Sequence, residues 1–501
     1  MKVESSKMPN SNSPQRPNLV FILPDRLRRD SMACYGNDWI QSPHLNGLAE
    51  QSFVFENAYV TQPVCAPARS SIMTGLYPPS AGMPVNRLIM PPEIQTIAQM
   101  VSNEYRTGYV GKWHLGDEIF AQRGFQEWVA SNDGWWTENS DETTRAELSD
   151  YHHFLVEAGF EPDMDHPGGN TFSPKLRSGL TPEYQMATFL GNRAADFIQE
   201  HAAEPFVLYV STIEPHPPFT GPYDHLYDPA TTPVDDTFLR YPEGSSLFNR
   251  LRADFFSNSV RDGIDLGTED GWRLLRSNYW GNVKLVDDMV GTILGALVSS
   301  SVSDRTIVVF TSEHGDMVGT HRMLEMRTPY EEAARVPLLM RVPWLLDGRQ
   351  TIEGNFSQID FVPTFLDLLG EPIPDHLQGR SRAGVLRGDD TLADNDVFVQ
   401  HNGIGDRDLT GEGESHRWPA DKSRELNDIG ALPWRSVITG DRWKLTLCSG
   451  DQGELYDLNS DPTETENLFD RPEHRDRIKQ MAARIRRWQL EVGDTAPLPA
   501  V

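Results

Sequence analysis

Cysteine is scarce in this chain of 501 residues: three are present, too few for a disulfide framework. The chain also lacks a run of about 18 apolar residues, which a membrane-spanning helix needs, and its first residues lack the apolar core of a signal peptide. Positive charge is in deficit, because 45 Lys and Arg against 73 Asp and Glu give a formal net charge of −28. Such a charge repels polyanions and anionic lipid. These features predict a cytoplasmic protein with neither nucleic acid nor membrane as a partner.

The rest of the composition is that of an ordinary globular protein, with 38% hydrophobic and 24% charged residues. Short, continuously apolar runs are bounded by turn residues and predict strands that are buried on both faces, as in a parallel sheet. These runs are residues 19–23, 109–110, 206–210 and 307–310. Between them lie helical patterns, the clearest at 278–297. The predicted fold class is therefore α/β, with a large, mostly parallel sheet sandwiched by helices.

The pattern changes toward the C-terminus. Short runs at 436–439, 444–447 and 455–456, separated by turn residues, are typical of an antiparallel meander, and a basic amphipathic helix is predicted at about 474–491. We therefore predict a disordered tail at 1–16, a main domain at 17–388 and a C-terminal α+β subdomain at 389–501. Residues 120–275, rich in Trp, Gly, Pro and Asp, are predicted to form loops and insertions over the sheet, where substrate selectivity usually resides.

Residues of acid/base and metal-ligand types follow each of the four predicted parallel strands. Ligands bind outside the carboxyl ends of such strands. The start of a polar loop explains one or two endings of this kind, but four together indicate a ligand site. The endings are Asp25-Arg26, Lys112 with His114, Glu214 with His216, and Glu313-His314 with Asp316.

Cys65 opens a further helical pattern. Pro67 suits a first helical turn and Gly75 a C-terminal cap. Cys65 would then lie at a helix N-terminus, where the helix dipole favours an anion and a cysteine can be a reactive thiolate. A lone cysteine is more often a small buried apolar residue, so both interpretations stay open at this point.

Cys65-Ala66-Pro67-Ala68-Arg69 followed by Thr74-Gly75 matches the C-x-P-x-R…TG signature of the sulfatases, in the alkaline-phosphatase-like superfamily. Other segments similar to that family follow in order, including PNLVFILPD, GYVGKWHLG, EPHPPF, TSEHGDMVG and ELYDLNSDPTETENL. Together they cover roughly residues 17 to 470. The chain thus resembles a sulfatase over nearly its whole length, and the resemblance implies that 17–388 is a sulfatase catalytic domain.

The resemblance implies a chemistry centred on Cys65. In the family, a separate maturation enzyme oxidises this cysteine to formylglycine. One hydroxyl of the hydrated aldehyde attacks sulfur, and the second then loses its proton and expels sulfate. The resemblance also implies a divalent cation, best suited to Ca²⁺ with Mg²⁺ or Mn²⁺ as alternatives, that is held by Asp25, the residue at 65, Glu313 and His314.

Four further residues receive roles by the same resemblance. Arg69 would fix the formylglycine, and Lys112 would bind the sulfate. His114 would serve the second hydroxyl. His216 would bind the substrate and act as the acid toward the leaving oxygen.

Three positions depart from the family pattern. Arg26 stands where the family commonly has Asp or Gln, and Glu313 replaces a shorter Asp. Met326 replaces a lysine of the anion site, with Arg327 beside it. We interpret Arg26 as a substrate-binding cation that compensates for Met326, because a guanidinium clasps an anion with two hydrogen bonds. Arg327 is a competing candidate, although a structural salt bridge is an equal interpretation of it.

Three functions are weighed for this site. The leading hypothesis is a hydrolase of sulfate monoesters, on a small molecule or a glycan. The alternatives are a phosphonate monoester or phosphodiester hydrolase of the same superfamily, and a degenerate, non-catalytic binder of sulfated ligands. Two groups of residues carry little weight in this choice. Trp128, Trp135 and Trp136 suit either stacking on sugar rings or packing under loops, and His152, His153 and the 163–166 run are interpreted as solvated loop residues, not as metal ligands.

Overall fold

Fifteen strands and thirteen α-helices lie in the part of the chain that the computed structural model describes, which is residues 14, 16–133, 147–164, 171–405, 408–410 and 417–501. The strands are β1 (Asn18–Ile22), β2 (Phe53–Tyr59), β3 (Arg106–Gly111), β4 (Glu127–Val129), β5 (Phe206–Ser211), β6 (Val260–Arg261), β7 (Ile264–Asp265), β8 (Thr306–Thr311), β9 (Arg335–Val336), β10 (Leu338–Arg341), β11 (Gln350–Ser357), β12 (Val397–His401), β13 (Trp434–Ile438), β14 (Trp443–Cys448) and β15 (Glu454–Asp457). The helices are α1 (Pro43–Ala49), α2 (Cys65–Thr74), α3 (Ile97–Met100), α4 (Asp150–Glu157), α5 (Pro174–Ser178), α6 (Met186–Glu200), α7 (Leu247–Phe256), α8 (Glu269–Ser299), α9 (Glu331–Ala334), α10 (Phe361–Leu369), α11 (Ala383–Leu386), α12 (Ala420–Gly430) and α13 (Arg475–Val492).

The main sheet has nine strands in the order β11-β2-β10-β8-β1-β5-β3-β4, with β9 paired to β2. The run β8-β1-β5-β3-β4 is parallel throughout. β10 lies antiparallel to β8 and β2, and β9 lies antiparallel to β2. The four strands predicted from apolar runs are neighbours at the centre of this sheet, so the prediction of a large, mostly parallel sheet is confirmed.

Alternation along β1 shows why such an apolar run becomes a central strand. Leu19 and Phe21 belong to the core on one face of the sheet, and Val20 and Ile22 belong to the core on the other. All four side chains are fully buried. Helices α6 and α8 contribute to the core that contains Val20 and Ile22, and α2 and α10 contribute to the core that contains Leu19 and Phe21. The predicted α/β sandwich is therefore present.

A second, antiparallel sheet in the order β12-β13-β14-β15 follows. The apolar stripe of α13 packs on it, since Ile478, Met481, Ile485 and Trp488 share a buried cluster with residues of β13 and β14. The predicted meander and basic helix are both found, with ends shifted by a few residues. The domain boundary at 388 and 389 stays a prediction.

The long region predicted as loops and insertions contains more regular structure than expected. Helices α4 to α7 and the short strands β4, β6 and β7 lie in it. Separately, no helix of the described ranges has both the length and the apolar character needed to cross a bilayer.

Candidate active site

Helix α2 begins at Cys65 and ends at Gly75, as the sequence predicts. Gly75 adopts a left-handed φ of 68°, and its N–H bonds the carbonyl of Ser71. The carbonyl is 2.9 Å from that nitrogen. A side chain at position 75 would be strained at this φ and would come within 3.3 Å of Val362. Every residue of the helix is buried, so Cys65 is held at the N-terminus of a rigid element.

Four side chains converge at the carboxyl edge of the main sheet. Asp25 follows β1 and Glu313 and His314 follow β8, and these strands are neighbours, while Cys65 comes from α2. One donor atom of each residue lies within 4.8 Å of the donor atoms of the others. His314 is central, with its Nε2 3.3 Å from Cys65 Sγ, 3.1 Å from Glu313 Oε1 and 3.8 Å from Asp25 Oδ1. We call these four residues the reaction cluster.

The donor atoms of this cluster fit a divalent cation. Asp25 Oδ1 and Glu313 Oε1 are buried and make no hydrogen bond with any described residue outside the reaction cluster. His314 Nδ1 donates to the carbonyl of Gly315 at 2.8 Å, which leaves Nε2 facing the cluster. Buried carboxylate oxygens without partners are costly, and a cation would satisfy them. The resemblance assigned this same set, and the structure brings all of its members together.

The field of the cluster is visible in the pKa values. Burial raises the pKa of Asp25, but Lys112 and neighbouring histidines outweigh it and hold this pKa well below its usual range. Burial lowers the pKa of His314, whereas Cys65 and Glu313 raise it to about 10 overall. The raised pKa of His314 reflects the negative charge of Cys65 and Glu313, and such charge attracts a cation.

Two buried cations border the cluster. Lys112, after β3, donates from Nζ to Asp25 Oδ2 at 2.5 Å. Arg69, one turn beyond Cys65 on α2, forms an ion pair with Glu313 and donates to the carbonyl of Lys112 at 2.7 Å and to Ser211 Oγ at 2.8 Å. Arg69 therefore connects α2 to the ends of β3, β5 and β8, which suits a residue that fixes the position of residue 65.

The two histidines lie on turns of different construction. His114 has a positive φ of 60°, and Glu118 holds this turn by accepting the N–H groups of Trp113 at 2.9 Å and His114 at 2.6 Å. Sequence reasoning missed Glu118, although a carboxylate four residues after His114 was a readable signal.

His216 Nδ1 donates to the carbonyl of Pro217 at 2.9 Å, which leaves Nε2 as the ring nitrogen with a free lone pair. Burial and then Arg26 lower the pKa of His216 well below its usual range, so the free protein holds this ring neutral.

A cavity of about 100 Å³ opens onto Lys112 and His216. Its walls come from the insertions between β4 and β5, from the segment after β5, and from α8. The lining residues are Lys112, Asn132, Tyr151, Arg177, Ser178, Gln185, Met186, Ile213, Glu214, His216, Pro217, Pro218, Thr220, Asn282 and Leu285. The insertions predicted to lie over the sheet thus line the entrance to the site.

The departures from the family pattern have defined surroundings. Arg26 Nη1 lies 3.2 Å from Asp316 Oδ2, outside the reaction cluster, and its pKa is raised, with Glu325 and Asp316 outweighing burial. Met326 is buried in the apolar core, and Arg327 is buried beside it. The pairing with Asp316 shows how a guanidinium is accommodated next to Asp25, while the role of Arg26 in substrate binding stays a prediction.

The described histidines and tryptophans that carry little weight in the sequence analysis lie away from this site. His152 is buried on α4 and bonds Thr171 Oγ1 at 2.5 Å, so the interpretation as a solvated loop residue is wrong for it, whereas His153 is exposed on the same helix. Trp128 stacks on Tyr109 with ring centroids 4.8 Å apart, which is packing and not sugar stacking. The described residues do not include Trp135, Trp136, Asp165 or His166.

Known proteins resemble this chain along most of its length. Residues 17–371 match the family model described as Sulfatase. An uncharacterized sulfatase, YidJ, of Escherichia coli (strain K12) is 28% identical over 472 residues, which cover 91% of this chain and 84% of the relative. An N-acetylglucosamine-6-O-sulfatase of Bacteroides thetaiotaomicron is 24% identical over 540 residues, covering 99% of this chain and 90% of that protein. Among solved structures, a phosphonate monoester hydrolase from Silicibacter pomeroyi has a TM-score of 0.74 at 22% identity, with 95% of both chains covered, a likeness of fold.

Proposed function

The chain belongs to the sulfatase family, and we propose that it hydrolyses sulfate monoesters with a formylglycine made from Cys65 as its nucleophile. That it is a sulfuric ester hydrolase agrees with its named sulfatase relatives. One observation supports the finer proposal most strongly. Cys65 lies in a buried cluster with two carboxylates and an imidazole, and Lys112, which bonds Asp25 of this cluster, lines the cavity.

Formylglycine would supply a hydrated aldehyde: its first hydroxyl would lose its proton to solvent and bond to sulfur as the ester S–O bond breaks, and its second, once deprotonated, would expel sulfate and restore the aldehyde. The chain's own residues provide its surroundings. The N-terminus of α2 favours negative charge on an oxygen at position 65. Arg69, held by Ser211 and the carbonyl of Lys112, fixes the position of that residue from one turn further along the helix.

We propose that Asp25, Glu313, His314 and the modified residue 65 hold a divalent cation, most suitably Ca²⁺, with Mg²⁺ or Mn²⁺ as alternatives. The cation supplies charge neutralisation for the sulfate oxygens and for the attacking oxygen. The buried, unbonded oxygens of Asp25 and Glu313 support this assignment. Nε2 of His314 faces the same space, held by the bond from its Nδ1 to Gly315.

Proton movements are assigned to the side chains around the cavity. Lys112 bonds Asp25 and lines the cavity, which supports the proposal that its ammonium binds a sulfate oxygen. His216 gives a proton to the ester oxygen as the bond from that oxygen to sulfur breaks, and His114 accepts the proton of the second hydroxyl. His216 is neutral in the free protein, so its acid role requires protonation when the anionic ester enters the cavity.

We propose a small-molecule or glycan sulfate ester as substrate, and a formylglycine-generating enzyme as the maturation partner. A relative named N-acetylglucosamine-6-O-sulfatase supports the glycan class. The amide of Asn132 and the hydroxyl of Thr220 on the cavity wall suit a hydroxylated ring.

Peptide mass spectrometry across Cys65, on protein produced with a formylglycine-generating enzyme, is the decisive test. We expect the aldehyde or its hydrate at position 65, with activity on an aryl sulfate that a chelator removes and Ca²⁺ restores. Active protein that carries only the thiol, or that retains no divalent ion by elemental analysis, would contradict the proposal.

Matched kinetics on an aryl sulfate and an aryl phosphonate monoester separate the second candidate function, which the phosphonate hydrolase fold neighbour supports. A higher kcat/KM for the phosphonate would replace the sulfatase assignment. Binding of sulfate esters without turnover, in protein shown to carry formylglycine and metal, would instead indicate a non-catalytic binder.

A further inference from the structure

Arg177 is a residue of helix α5 and lines the same cavity as Lys112 and His216. Its guanidinium makes no hydrogen bond or ion pair with any described residue, and its Nε is buried without a partner. We propose that Arg177 binds a second anionic group of the substrate, so that the preferred sulfate esters carry a further carboxylate or sulfate. This inference rests on the proposed function and names the substrate class more closely.

The other arginines of the site have anionic partners in the structure. Arg26 is paired with Asp316, and Arg69 is paired with Glu313. A partly buried guanidinium that lacks a partner is costly, because it loses hydration without gaining hydrogen bonds. Among the described residues of the cavity wall, Arg177 is therefore a cation that an incoming anion can satisfy.

Glu214 is the acidic residue that lines the cavity with Arg177, and it is already engaged. Its carboxylate accepts the hydroxyl of Thr212 and the N–H of Ala187, the latter at 3.3 Å. Burial raises the pKa of Glu214 although Arg177 and these hydrogen bonds oppose it, which reduces the negative charge it presents. Glu214 thus leaves the guanidinium available for a ligand.

The chemistry of the ligand follows from the donors. A guanidinium presents a planar fork that matches carboxylate and sulfate oxygens. We assign Lys112 to the sulfate that reacts, so Arg177, which lines the cavity from α5, serves a different group of the same molecule. The protein as a whole carries a net charge of −28, and a doubly anionic substrate therefore needs such a local cation.

The test compares substrates that differ in one charge. The 2-, 3- and 4-carboxyphenyl sulfates and their methyl esters scan the reach of the second anion around the ring. For each position, the ratio of kcat/KM for the acid to that for the ester is measured in the wild type and in Arg177→Gln. We expect the ratio to fall roughly ten- to hundredfold in Arg177→Gln at one ring position at least, the worth of a charged hydrogen bond. Comparing the two proteins cancels the difference in leaving-group reactivity.

Lys175→Gln is the matched control. Lys175 lies on the same short helix and carries the same charge, but it is exposed and does not line the cavity. We expect its acid-to-ester ratio to equal that of the wild type at every ring position. An equal fall in Lys175→Gln, or an unchanged ratio in Arg177→Gln at all three positions, would overturn the role of Arg177.

Calorimetry separates this inference from the proposed function. Binding of the carboxyphenyl sulfates to Cys65→Ala, with and without Arg177→Gln, requires no turnover. If the acids bind in a manner that depends on Arg177, but the protein with intact Cys65 hydrolyses no sulfate ester, the proposed function is wrong and the second-anion site is retained. If the protein hydrolyses the aryl sulfates, but their binding is independent of Arg177, the proposed function is retained and the second-anion site is wrong.

Discussion

Two buried clusters of charge invite comparison. The reaction cluster of Asp25, Cys65, Glu313 and His314 lies at the carboxyl edge of the main sheet. A second cluster, here called the clasp, consists of Glu331, Lys444 and Glu464 and joins the segment after β8 to β14 of the small sheet. Lys444 Nζ lies 3.0 Å from Glu331 Oε1 and 2.8 Å from Glu464 Oε1, and Glu464 Oε2 accepts the N–H of Glu331 at 2.7 Å.

The two clusters differ in how their charges are satisfied. In the clasp, one lysine lies between two carboxyl groups, and Arg442 adds a further cation 3.6 Å from Glu331. In the reaction cluster, Lys112 and Arg69 each pair with one carboxylate, whereas Asp25 Oδ1 makes no hydrogen bond with any described residue. Charged groups that find all their partners within the protein hold parts of the fold together. Charged groups that still lack a partner can bind a ligand, at a cost to stability. Substitutions in each cluster therefore have different expected effects.

Cys65→Ala gives the largest expected effect, and on activity alone. Since the nucleophile derives from this residue, we expect turnover of an aryl sulfate to fall at least about a thousandfold. The melting temperature stays close to that of the wild type, because alanine fits the first turn of α2. Cys448→Ala is the matched control, a second buried cysteine that lies in the small sheet. Substantial residual turnover in Cys65→Ala, or an equal loss in Cys448→Ala, would contradict the role of Cys65.

Lys444→Met gives the converse expectation, a loss of stability with the chemistry intact. The substitution leaves Glu331 and Glu464 buried without their shared cation, which typically costs about 3–5 kcal/mol. Urea unfolding at neutral pH measures this free energy. Activity per folded molecule should remain, since the clasp contacts neither the cavity nor the reaction cluster in the described residues.

Lys422→Met is the control for Lys444→Met. Lys422 pairs with Glu425 on the surface of α12, so its removal should leave the urea midpoint unchanged. A stable Lys444→Met protein, or one that is folded but inactive, would end the distinction between a structural and a reactive cluster.

Arg26→Gln tests whether Arg26 is a structural or a reactive residue. Arg26 is paired with Asp316, as the residues of the clasp are paired with one another, yet it lies beside Asp25 of the reaction cluster. If Arg26 binds the anion, we expect turnover to fall roughly tenfold or more, the worth of a charged hydrogen bond. Met326→Lys should then rescue part of the loss in a double-mutant cycle. Higher turnover and tighter metal binding in Arg26→Gln alone would mark Arg26 as a lesion.

Much of the fold and of the reaction cluster was predictable from the sequence. Apolar runs such as that of β1 announce buried strands, and the order of strands brings Asp25 next to Glu313 and His314. The signature around Cys65 gave the rest by resemblance. Long-range partners were not predictable in this way, since Arg177 reaches the cavity through the packing of an insertion, and Lys444 of β14 meets Glu464 from the segment after β15. Tertiary packing decides such pairs, and local patterns do not encode it.

The smallest expected effect is a pH dependence that belongs to the clasp. Burial raises the pKa of Glu464 to about 8 although Lys444 opposes it, whereas an unfolded glutamate titrates near about 4.3. Between these values the folded protein binds the extra proton, so its free energy of unfolding falls as the pH rises through this window. Glu331 does not offset this, because Lys444 outweighs its burial and lowers its pKa to about 2, below the window.

Glu464→Gln keeps an oxygen for the N–H of Glu331 but removes the titratable proton. We therefore expect its free energy of unfolding, measured by urea titration between about pH 5 and pH 8, to fall less steeply with pH than that of the wild type. Equal slopes in the two proteins would mean that Glu464 is ionised in the fold and that Lys444 holds two carboxylates at once.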